Sequence, residues 1–314
     1  MTDGDFLKTN IVKTDIDCTW ENVKNTICEL KEFYPFINVS TIGKSVMGKD
    51  IFAISLGCGE KKLMINGAHH ANEWITSLLL LNFVERYCHA YKSDKCIYGE
   101  SIRELWRKKT LCIVPLVNPD GVDLVNGGID ENSHFYKKAL QISQKFPHIP
   151  FPKGWKANIE GCDLNLNYPA GWANAKKIKY EMGYSERAPK NYVGDAPLSE
   201  PESRAMYNYS VFNCFCLSLS YHTQGKVIYW KYQDFLPEAS ERIAQELARA
   251  SGYKLEITPV ESGFAGYKDW FISKYKLPGY TVEAGEGENP LDISQFNEIY
   301  ADNERLLIAA ARLA

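Results

Sequence analysis

The sequence lacks the features that mark several large classes of protein. Its most apolar stretch, residues 75–84, is about half as long as the roughly 18 apolar residues that cross a bilayer. The formal net charge of the 314 residues is −3, so cationic side chains are not in the excess that a nucleic-acid surface needs. Repeats, linkers and low-complexity tracts are absent as well. We therefore expect a protein that binds neither membranes nor nucleic acids.

Cysteine spacing excludes the common zinc-ribbon sites. The nine cysteines are odd in number and form no Cys-x-x-Cys pair, so we expect reduced thiols rather than metal ligands. The first ten residues have neither a basic start nor an apolar core, which predicts no secretory signal and a cytoplasmic location. A composition of 45% apolar and 24% charged residues is typical of a globular protein.

Helical and strand-like patterns alternate along the chain, which predicts an α/β fold with a largely parallel sheet. We expect one domain over residues 1–314, helix 19–33 with Thr19 as its N-cap, and neighbouring positions for the first two strands. NPDG at 118–121 predicts a turn, and residues 122–192, rich in Gly, Pro, Asn and Lys, are expected to be mostly loop. The expected helices are 19–33, 74–91, 100–108, 237–251, 265–275 and 293–312, and the expected strands are 51–56, 62–66, 111–117, 213–221, 226–230 and 279–284.

Residues 43–50 (GKSVMGKD) nearly match a phosphate-binding loop. The last position of that pattern needs a hydroxyl group to hold Mg²⁺, but it is Asp50 here, and a carboxylate would repel phosphate. A strand is expected to follow, where a nucleotide site would need a helix. We therefore interpret the segment as a turn that leads into a strand.

The candidate metal ligands follow expected strands. His70 and Glu73 come directly after the strand at 62–66, and their spacing at a helix start points both side chains the same way. An imidazole and a carboxylate so placed can share a Zn²⁺ ion, and a catalytic zinc needs a third protein ligand. His222, at the end of a later strand, is the better candidate, and His69 is the competing one. The alternative interpretation is a salt-linked helix start at the surface.

Two further carboxylates fit around such a metal. Glu283 stands alone in an apolar strand, and a buried carboxylate is costly unless it is paired or functional. Beside a zinc-bound water it would serve as the general base. The alternative for Glu283 is an edge position paired with a lysine. Asp163 is a candidate acceptor for the free ring nitrogen of His70, which would fix the tautomer of that ligand.

Seven motifs in the chain, in this order, resemble those of the zinc metallocarboxypeptidases of the carboxypeptidase A type. They are TIGKSVMGKDI, NGAHHANEWIT, NPDG, GCDLNLNY, GDAPLSEPES, SYHTQG and TVEAG. The resemblance implies a single α/β domain with a mixed, mostly parallel eight-stranded twisted sheet flanked by helices. It also implies one zinc ion held by His70, Glu73 and His222, with Glu283 as the catalytic general base.

Several positions depart from the family pattern. Digestive members hold the terminal carboxylate of the substrate with an Asn-Arg pair, and here Asn165 is kept while Leu166 stands for the arginine. A leucine cannot grip a carboxylate through a bidentate fork. Lys156 stands for the arginine that polarises the scissile carbonyl, and Asn72 stands for the arginine near the zinc pair. These replacements argue against recognition of an ordinary C-terminal α-carboxylate.

Two more departures concern the substrate pocket. The position of the mobile tyrosine of the family falls near Glu261, and Tyr267 is close enough in the sequence to stand in. The base of the pocket aligns with Lys268, a cation that could replace the missing arginine, although a solvated helix lysine is the alternative interpretation. Asn165, Asn72, Tyr267 and Lys268 are therefore the predicted substrate-binding residues.

The segments WKAN, DLNLNYPAGW and AGYKDW resemble one subgroup, the bacterial γ-D-glutamyl-L-diamino acid peptidases. This likeness implies zinc-dependent hydrolysis of the bond between D-Glu and meso-diaminopimelate, or a related diamino acid, in peptidoglycan stem peptides. Lys156 would stabilise the oxyanion beside the zinc. The alternatives are an ordinary metallocarboxypeptidase, a zinc deacylase of a non-peptide acyl substrate, and an inactive binding module.

Overall fold

A mixed sheet of eight strands forms the centre of the protein, for which a computed structural model describes residues 11–16 and 18–314. The strands, numbered along the chain, are β1 (Asn38–Lys44), β2 (Asp50–Gly57), β3 (Lys61–Asn66), β4 (Cys96–Ile97), β5 (Glu100–Ser101), β6 (Lys109–Val114), β7 (Phe215–His222), β8 (Val227–Tyr229), β9 (Lys254–Glu256) and β10 (Gly279–Glu283). The sheet order is β1-β2-β6-β3-β7-β10-β8-β9, and β4 and β5 form a separate ribbon. The central strands β6, β3, β7 and β10 are parallel to their neighbours in that group. The predicted α/β fold with a mixed eight-stranded sheet is confirmed.

Helices cover both faces of this sheet. They are α1 (Trp20–Phe33), α2 (Ile75–Lys92), α3 (Ile102–Lys108), α4 (Pro119–Val125), α5 (His134–Ser143), α6 (Trp172–Glu181), α7 (Pro201–Phe212), α8 (Ser240–Ser251), α9 (Tyr267–Tyr275) and α10 (Phe296–Leu313). Side chains of α1, α2, α3, α8 and α10 form one large apolar core with the sheet. Side chains of α7 and α9 form a second core on the opposite face. Among the described residues, no helix is both long and apolar enough to cross a membrane.

The alternation of side chains along the strands separates these two cores. In β3, Leu63 and Ile65 contribute to the larger core, while Met64 between them contributes to the smaller one. Such runs, apolar at every position, are typical of strands with both faces covered. All of these side chains are fully buried. The interior strands are therefore fixed from both sides, which makes their ends a rigid support.

Most expected elements are present, with boundaries displaced by a few residues. Helix α1 begins after Thr19, whose hydroxyl accepts a hydrogen bond from Asn22 N as predicted. Gly252 ends α8 in the left-handed conformation, as its position suggested. Residues 45–49 form the predicted turn between β1 and β2, closed by a hydrogen bond from Ser45 N to Lys49 O. The neighbouring strand β1 and the helix α7 are not anticipated in the sequence analysis.

Two expectations are wrong. The strands β2 and β3 are not neighbours, because β6 lies between them. The sequence at 118–121 starts the helix α4, where Asn118 caps the backbone N–H of Gly121 and Pro119 takes the first helical position. The expectation that residues 122–192 are mostly loop is confirmed, although the region also holds two helices of ten residues, α5 and α6.

The carboxyl ends of β3, β7 and β10 meet at one edge of the sheet. Because these strands are parallel neighbours, Glu283 at the end of β10 is paired in register with His222 at the end of β7. The segment after β3 carries His70 and Glu73 to the same edge. Residues far apart in the chain therefore face one another where the strands end, which is where ligand sites lie in sheets of this type.

Candidate metal centre and substrate cleft

Three side chains converge at the carboxyl edge of the sheet. His70 Nδ1 lies 2.9 Å from Glu73 Oε1, and His222 Nδ1 lies 2.9 Å from Glu73 Oε2. The two Nδ1 atoms are 3.2 Å apart. Glu73 and His222 are buried, and one ligand atom of each of the three residues lies within 4.8 Å of the others. The structure thus brings together the three residues that the sequence analysis predicts as metal ligands.

The second ring nitrogen of His70 faces Asp163. His70 Nε2 is 3.2 Å from Asp163 Oδ1, as the sequence analysis predicts. Asp163 is itself fixed, because its oxygens accept hydrogen bonds from the backbone N–H groups of Asn165 and Asn191. A carboxylate in this position holds the ring proton on Nε2 and leaves the Nδ1 lone pair directed at Glu73 and His222.

The electrostatics of the centre favour a cation. Burial alone would lower the pKa of His70, but Glu73 and Asp163 outweigh burial and raise it to about 9. Burial would raise the pKa of Glu73, but the positive charges of His70 and Lys156 hold it well below its usual range. A group of buried acceptors that retains a proton this firmly also attracts a metal ion in place of that proton.

The donor set fits zinc. Two imidazole nitrogens and one carboxylate are the ligands of a catalytic zinc site, which keeps a further position open. In the absence of a cation, the Nδ1 lone pairs and the carboxylate oxygens would face one another at hydrogen-bond distance with too few protons between them. Bound in this position, zinc supplies a Lewis acid and lowers the pKa of coordinated water.

Two neighbours of Glu73 are missed by sequence reasoning. The backbone N–H of Thr223 donates to Glu73 Oε2 at 3.3 Å, and Asn289 Nδ2 donates to Glu73 Oε1 at 3.3 Å. Asn289 is held by Thr223, through both the carbonyl and the hydroxyl oxygen of that residue. These contacts fix the orientation of the carboxylate. Asn289 lies in a loop, far from any recognisable motif, so the sequence offers no signal for it.

Glu283 lies beside the three candidate metal ligands. It is partly exposed, and among residues 11–16 and 18–314 its side-chain oxygens have no hydrogen-bond partner. Burial, with repulsion from Glu73, raises the pKa of Glu283 to about 8, although Lys156 and His70 act in the opposite direction. A carboxyl group whose pKa is near neutrality, next to a site for a metal ion, can both accept and return a proton.

Lys156 extends into the same space from the segment before Asp163. Its ammonium group is 3.0 Å from Glu73 Oε1, with 28% of the side chain exposed. The backbone carbonyl of Lys156 accepts a hydrogen bond from Ala71 N, so the segment is tied to the turn that carries the ligands. Burial would lower the pKa of Lys156, but Glu73 and Asp163 raise it, so the side chain remains a cation. It can donate to an oxygen that develops negative charge.

Asn165 and Asn72 also lie close to the centre. Asn165 Oδ1 accepts a hydrogen bond from Tyr267 N at the start of α9. Among the residues described, Asn165 Nδ2 has no partner, so its two N–H donors are available to a ligand. Asn72 is buried, and in the described ranges its Oδ1 has no hydrogen-bond partner either.

Tyr267 and Lys268 are placed differently from the prediction. Tyr267 is fully buried, with its hydroxyl 2.7 Å from Ser210 Oγ, so it offers no surface to a substrate. Lys268 is buried as well, and its ammonium group faces Asp269 Oδ1 at 2.7 Å, Lys231 O at 2.8 Å and the hydroxyl of Thr258. The ammonium group thus has an ion-pair partner and two hydrogen-bond acceptors within the protein, unlike the free cation that the prediction requires.

His69, the competing ligand candidate, takes no part in the convergent group. Its Nε2 atom is 2.9 Å from the hydroxyl of Tyr168, and the ring is fully buried. Burial, helped by the nearby His222 and His70, lowers the pKa of His69 well below its usual value. The ring is therefore neutral and serves in packing behind the site.

The sheet, the His-Glu-His centre and the adjacent carboxyl group are the features of a zinc-dependent peptidase. The chain belongs to the zinc carboxypeptidase family, whose sequence pattern matches residues 23–304. It is 38% identical over 291 residues, 92% of this chain and 71% of the relative, to gamma-D-glutamyl-L-diamino acid endopeptidase 1 of Lysinibacillus sphaericus. It is 39% identical over 283 residues, 88% of this chain and 73% of the relative, to an uncharacterised protein of Bacillus subtilis.

The fold is also that of solved carboxypeptidase structures. Carboxypeptidase A from Helicoverpa armigera aligns with this chain at a TM-score of 0.69. The alignment covers 96% of this chain and 75% of that structure. The sequence identity in this alignment is 20%, so the likeness concerns the fold. The predicted family, fold class and enzyme class are confirmed.

Proposed function

We propose that the protein hydrolyses the amide bond between the side-chain carboxyl group of a D-glutamyl residue and a diamino acid in peptidoglycan stem peptides. The diamino acid is meso-diaminopimelate or a related residue. The observation that carries this proposal is the 38% identity, over 92% of the chain, to a relative named for that activity. We propose that one zinc ion, held by His70, Glu73 and His222, is the cofactor.

The apolar surroundings of Leu166 distinguish this cleft from that of the digestive carboxypeptidases. Leu166 is buried and packs against Ala175, Val193 and Ala265. A free α-carboxylate in this apolar cluster would lose its hydration without gaining a cation in return. The position that carries an arginine in digestive carboxypeptidases therefore offers no counter-charge for such a group.

Each residue of the centre has a distinct role in the proposed reaction. Glu283 accepts a proton from the attacking water and returns it to the leaving amine of the diamino acid. Lys156 donates to the carbonyl oxygen of the scissile amide as negative charge develops on it. Asn165, whose carbonyl is anchored by Tyr267 N, donates through its NH₂ group to a polar group of the substrate. Zinc held by His70, Glu73 and His222 would supply the Lewis acidity for this reaction.

A substrate comparison tests this function. The zinc-loaded protein is incubated with L-Ala-γ-D-Glu-meso-diaminopimelate, with its α-linked isomer and with hippuryl peptides, and the released amines are measured by mass spectrometry. We expect kcat/KM for the γ-linked peptide to exceed the other values by about 100-fold or more, because only that peptide has the amide bond on the side-chain carboxyl group of D-Glu.

The matched isomer controls for charge and composition, since it differs only in which carboxyl group of D-Glu forms the bond. A preference for hippuryl peptides would identify an ordinary carboxypeptidase instead. Hydrolysis of simple esters or acetylated compounds alone would identify a deacylase. Stoichiometric zinc without hydrolysis of any of these substrates would contradict the proposal.

A further inference from the structure

Helix α6 carries a buried lysine without a counter-charge. Lys179 is only 4% exposed, yet its ammonium group forms no hydrogen bond or ion pair with any residue of the described ranges. Lysines are seldom buried to this extent unless they are paired, because removing the charge from water is costly. Its stem is buried while its Nζ atom keeps contact with solvent, so the ammonium group has no counter-charge in the described ranges and is accessible to an anionic ligand.

The position of Lys179 relates it to the missing arginine. Ala175 and Lys179 are the buried residues of α6, and their spacing of four places them on the same face of the helix. Ala175 packs in one apolar cluster with Leu166. The inner face of α6 therefore covers the position where digestive carboxypeptidases carry their carboxylate-binding arginine, and Lys179 lies one turn further along that face.

The charges around Lys179 connect it to the metal centre. Asp163, which contacts His70, and Lys156, which contacts Glu73, are both near enough to influence it, as are Glu261 and Lys190. Burial is the largest influence and lowers the pKa of Lys179. The oxygens of Asp163 are already taken up by His70 and two backbone N–H groups. No carboxylate of the described chain thus forms an ion pair with this ammonium group.

Lys268 provides the contrast within the same molecule. It is buried to the same degree as Lys179, but Asp269 and Lys231 O occupy its ammonium group. A lysine with internal partners has a structural role, while one that is buried without partners is available to a ligand. Of Lys179 and Lys268, Lys179 is thus the one able to bind an anion.

We propose that Lys179 binds a carboxylate on the diamino-acid half of the substrate and thereby supplies, from α6, the positive charge that Leu166 lacks. This inference rests on the proposed function, because it assumes that the group beyond the scissile bond is an acidic diamino acid. Lys179 would then determine specificity from a helix that lies within a mostly irregular region.

A binding cycle in an inactive background tests the assignment. The Glu283→Gln protein, loaded with zinc, is titrated by calorimetry with L-Ala-γ-D-Glu-meso-diaminopimelate and with the same peptide carrying both diaminopimelate carboxylates as amides. Both titrations are repeated with Lys179→Met added. Methionine keeps the apolar stem of the side chain and removes only the charge.

We expect Lys179→Met to weaken binding of the carboxylate peptide about 10- to 100-fold, the range for loss of a charge-assisted hydrogen bond. The affinity for the diamide should change less than about twofold, and Lys179→Arg should restore part of the preference. Lys177→Met is the matched control, because Lys177 is exposed on the same helix, and it should alter neither affinity. Thermal melting and zinc content verify that each variant is folded and loaded.

Two results would overturn the inference. If Lys179→Met weakens binding of both peptides equally, or of neither, then the lysine does not bind the carboxylate. The proposed function still stands in that case if the wild-type protein cleaves the γ-linked peptide. If the wild-type protein neither binds nor cleaves that peptide, the proposed function fails and the assignment of Lys179 fails with it. Cleavage by the wild-type protein thus separates the two failures.

Discussion

The metal side and the recognition side of the cleft rest on different kinds of backbone. On the metal side, His222 and Glu283 end two parallel strands that are paired in register. On the recognition side, Lys156, Asp163 and Asn165 lie on irregular segments held by side-chain hydrogen bonds. Asn158, for example, accepts from Glu160 N and Cys162 N, and Trp155 and Asn167 anchor backbone carbonyls. The sheet thus fixes the chemistry, while the connecting region is free to vary in what it recognises.

Removal of a proposed metal ligand should give the largest effect. We expect His222→Ala to lose stoichiometric zinc and about 10⁴-fold or more in kcat/KM, since several kcal/mol of transition-state stabilisation depend on the ion. Zinc is measured by mass spectrometry after dialysis, and activity with the γ-linked tripeptide. His134→Ala, at an exposed position at the start of α5, is the matched control. Full zinc content in His222→Ala would point to His69 as the ligand.

Substitution of the general base should separate zinc binding from hydrolysis. Glu283→Gln keeps the size of the side chain and removes the ability to accept a proton. We expect a loss of about 10³-fold in kcat with zinc content unchanged, within the range for general base catalysis. A zinc-loaded Glu283→Gln protein with full activity would exclude Glu283 from the reaction. Together with His222→Ala, this variant tests whether zinc binding and proton transfer depend on different residues.

The loss of Lys156 tests the recognition side where it meets the metal side. We expect Lys156→Met to lower kcat about 100-fold, with zinc content preserved, because one donor to the developing oxyanion is removed. Lys156→Arg should recover part of the rate, while Lys137→Met, at an exposed position on α5, should change nothing. A loss of zinc together with activity would instead show that Lys156 mainly stabilises Glu73, which it contacts at 3.0 Å.

The two sides also differ in how far the sequence predicts them. His70, Glu73 and His222 are found because each stands at or just after an apolar strand, and parallel strands bring their ends together. Glu283 is found because a lone carboxylate in such a strand requires an explanation. These sequence signals are local. Because the strands are parallel neighbours, their order in the sheet determines which of these side chains lie together.

The recognition side carries weaker signals. Helix α6 follows Gly171, which has no side chain to cap it, so a search for caps and apolar periodicity misses both the helix and Lys179. Tyr267 was expected to contact substrate on the basis of sequence distance alone, which says nothing about burial. Whether a lysine is paired, as Lys268 is, or unpaired, as Lys179 is, depends on tertiary contacts that no spacing reveals.

Substitution of Glu202 should have the smallest effect on activity. This residue is buried beneath the recognition side. Glu202 accepts hydrogen bonds from Val46 N and from Asn158 Nδ2, and Asn158 shapes the segment that carries Lys156 and Asp163. Burial, with repulsion from Asp120, raises the pKa of Glu202 from its usual 4.5 to about 8. The folded protein therefore holds this proton more tightly than the unfolded chain does.

This difference predicts the direction in which stability depends on pH. The stabilisation from the protonated Glu202 is complete below about pH 4.5 and is lost as the pH rises toward 8, by about 1.4 kcal/mol per pH unit at most. Glu202→Gln removes the titration, so its free energy of unfolding in urea should fall less steeply over that window, while Glu32→Gln, exposed on α1, should follow the wild type. Every other titrating group is shared by the wild type and Glu202→Gln. Equal slopes for wild type and Glu202→Gln would therefore mean that Glu202 is ionised in the fold, and that the recognition side tolerates a buried charge beneath it.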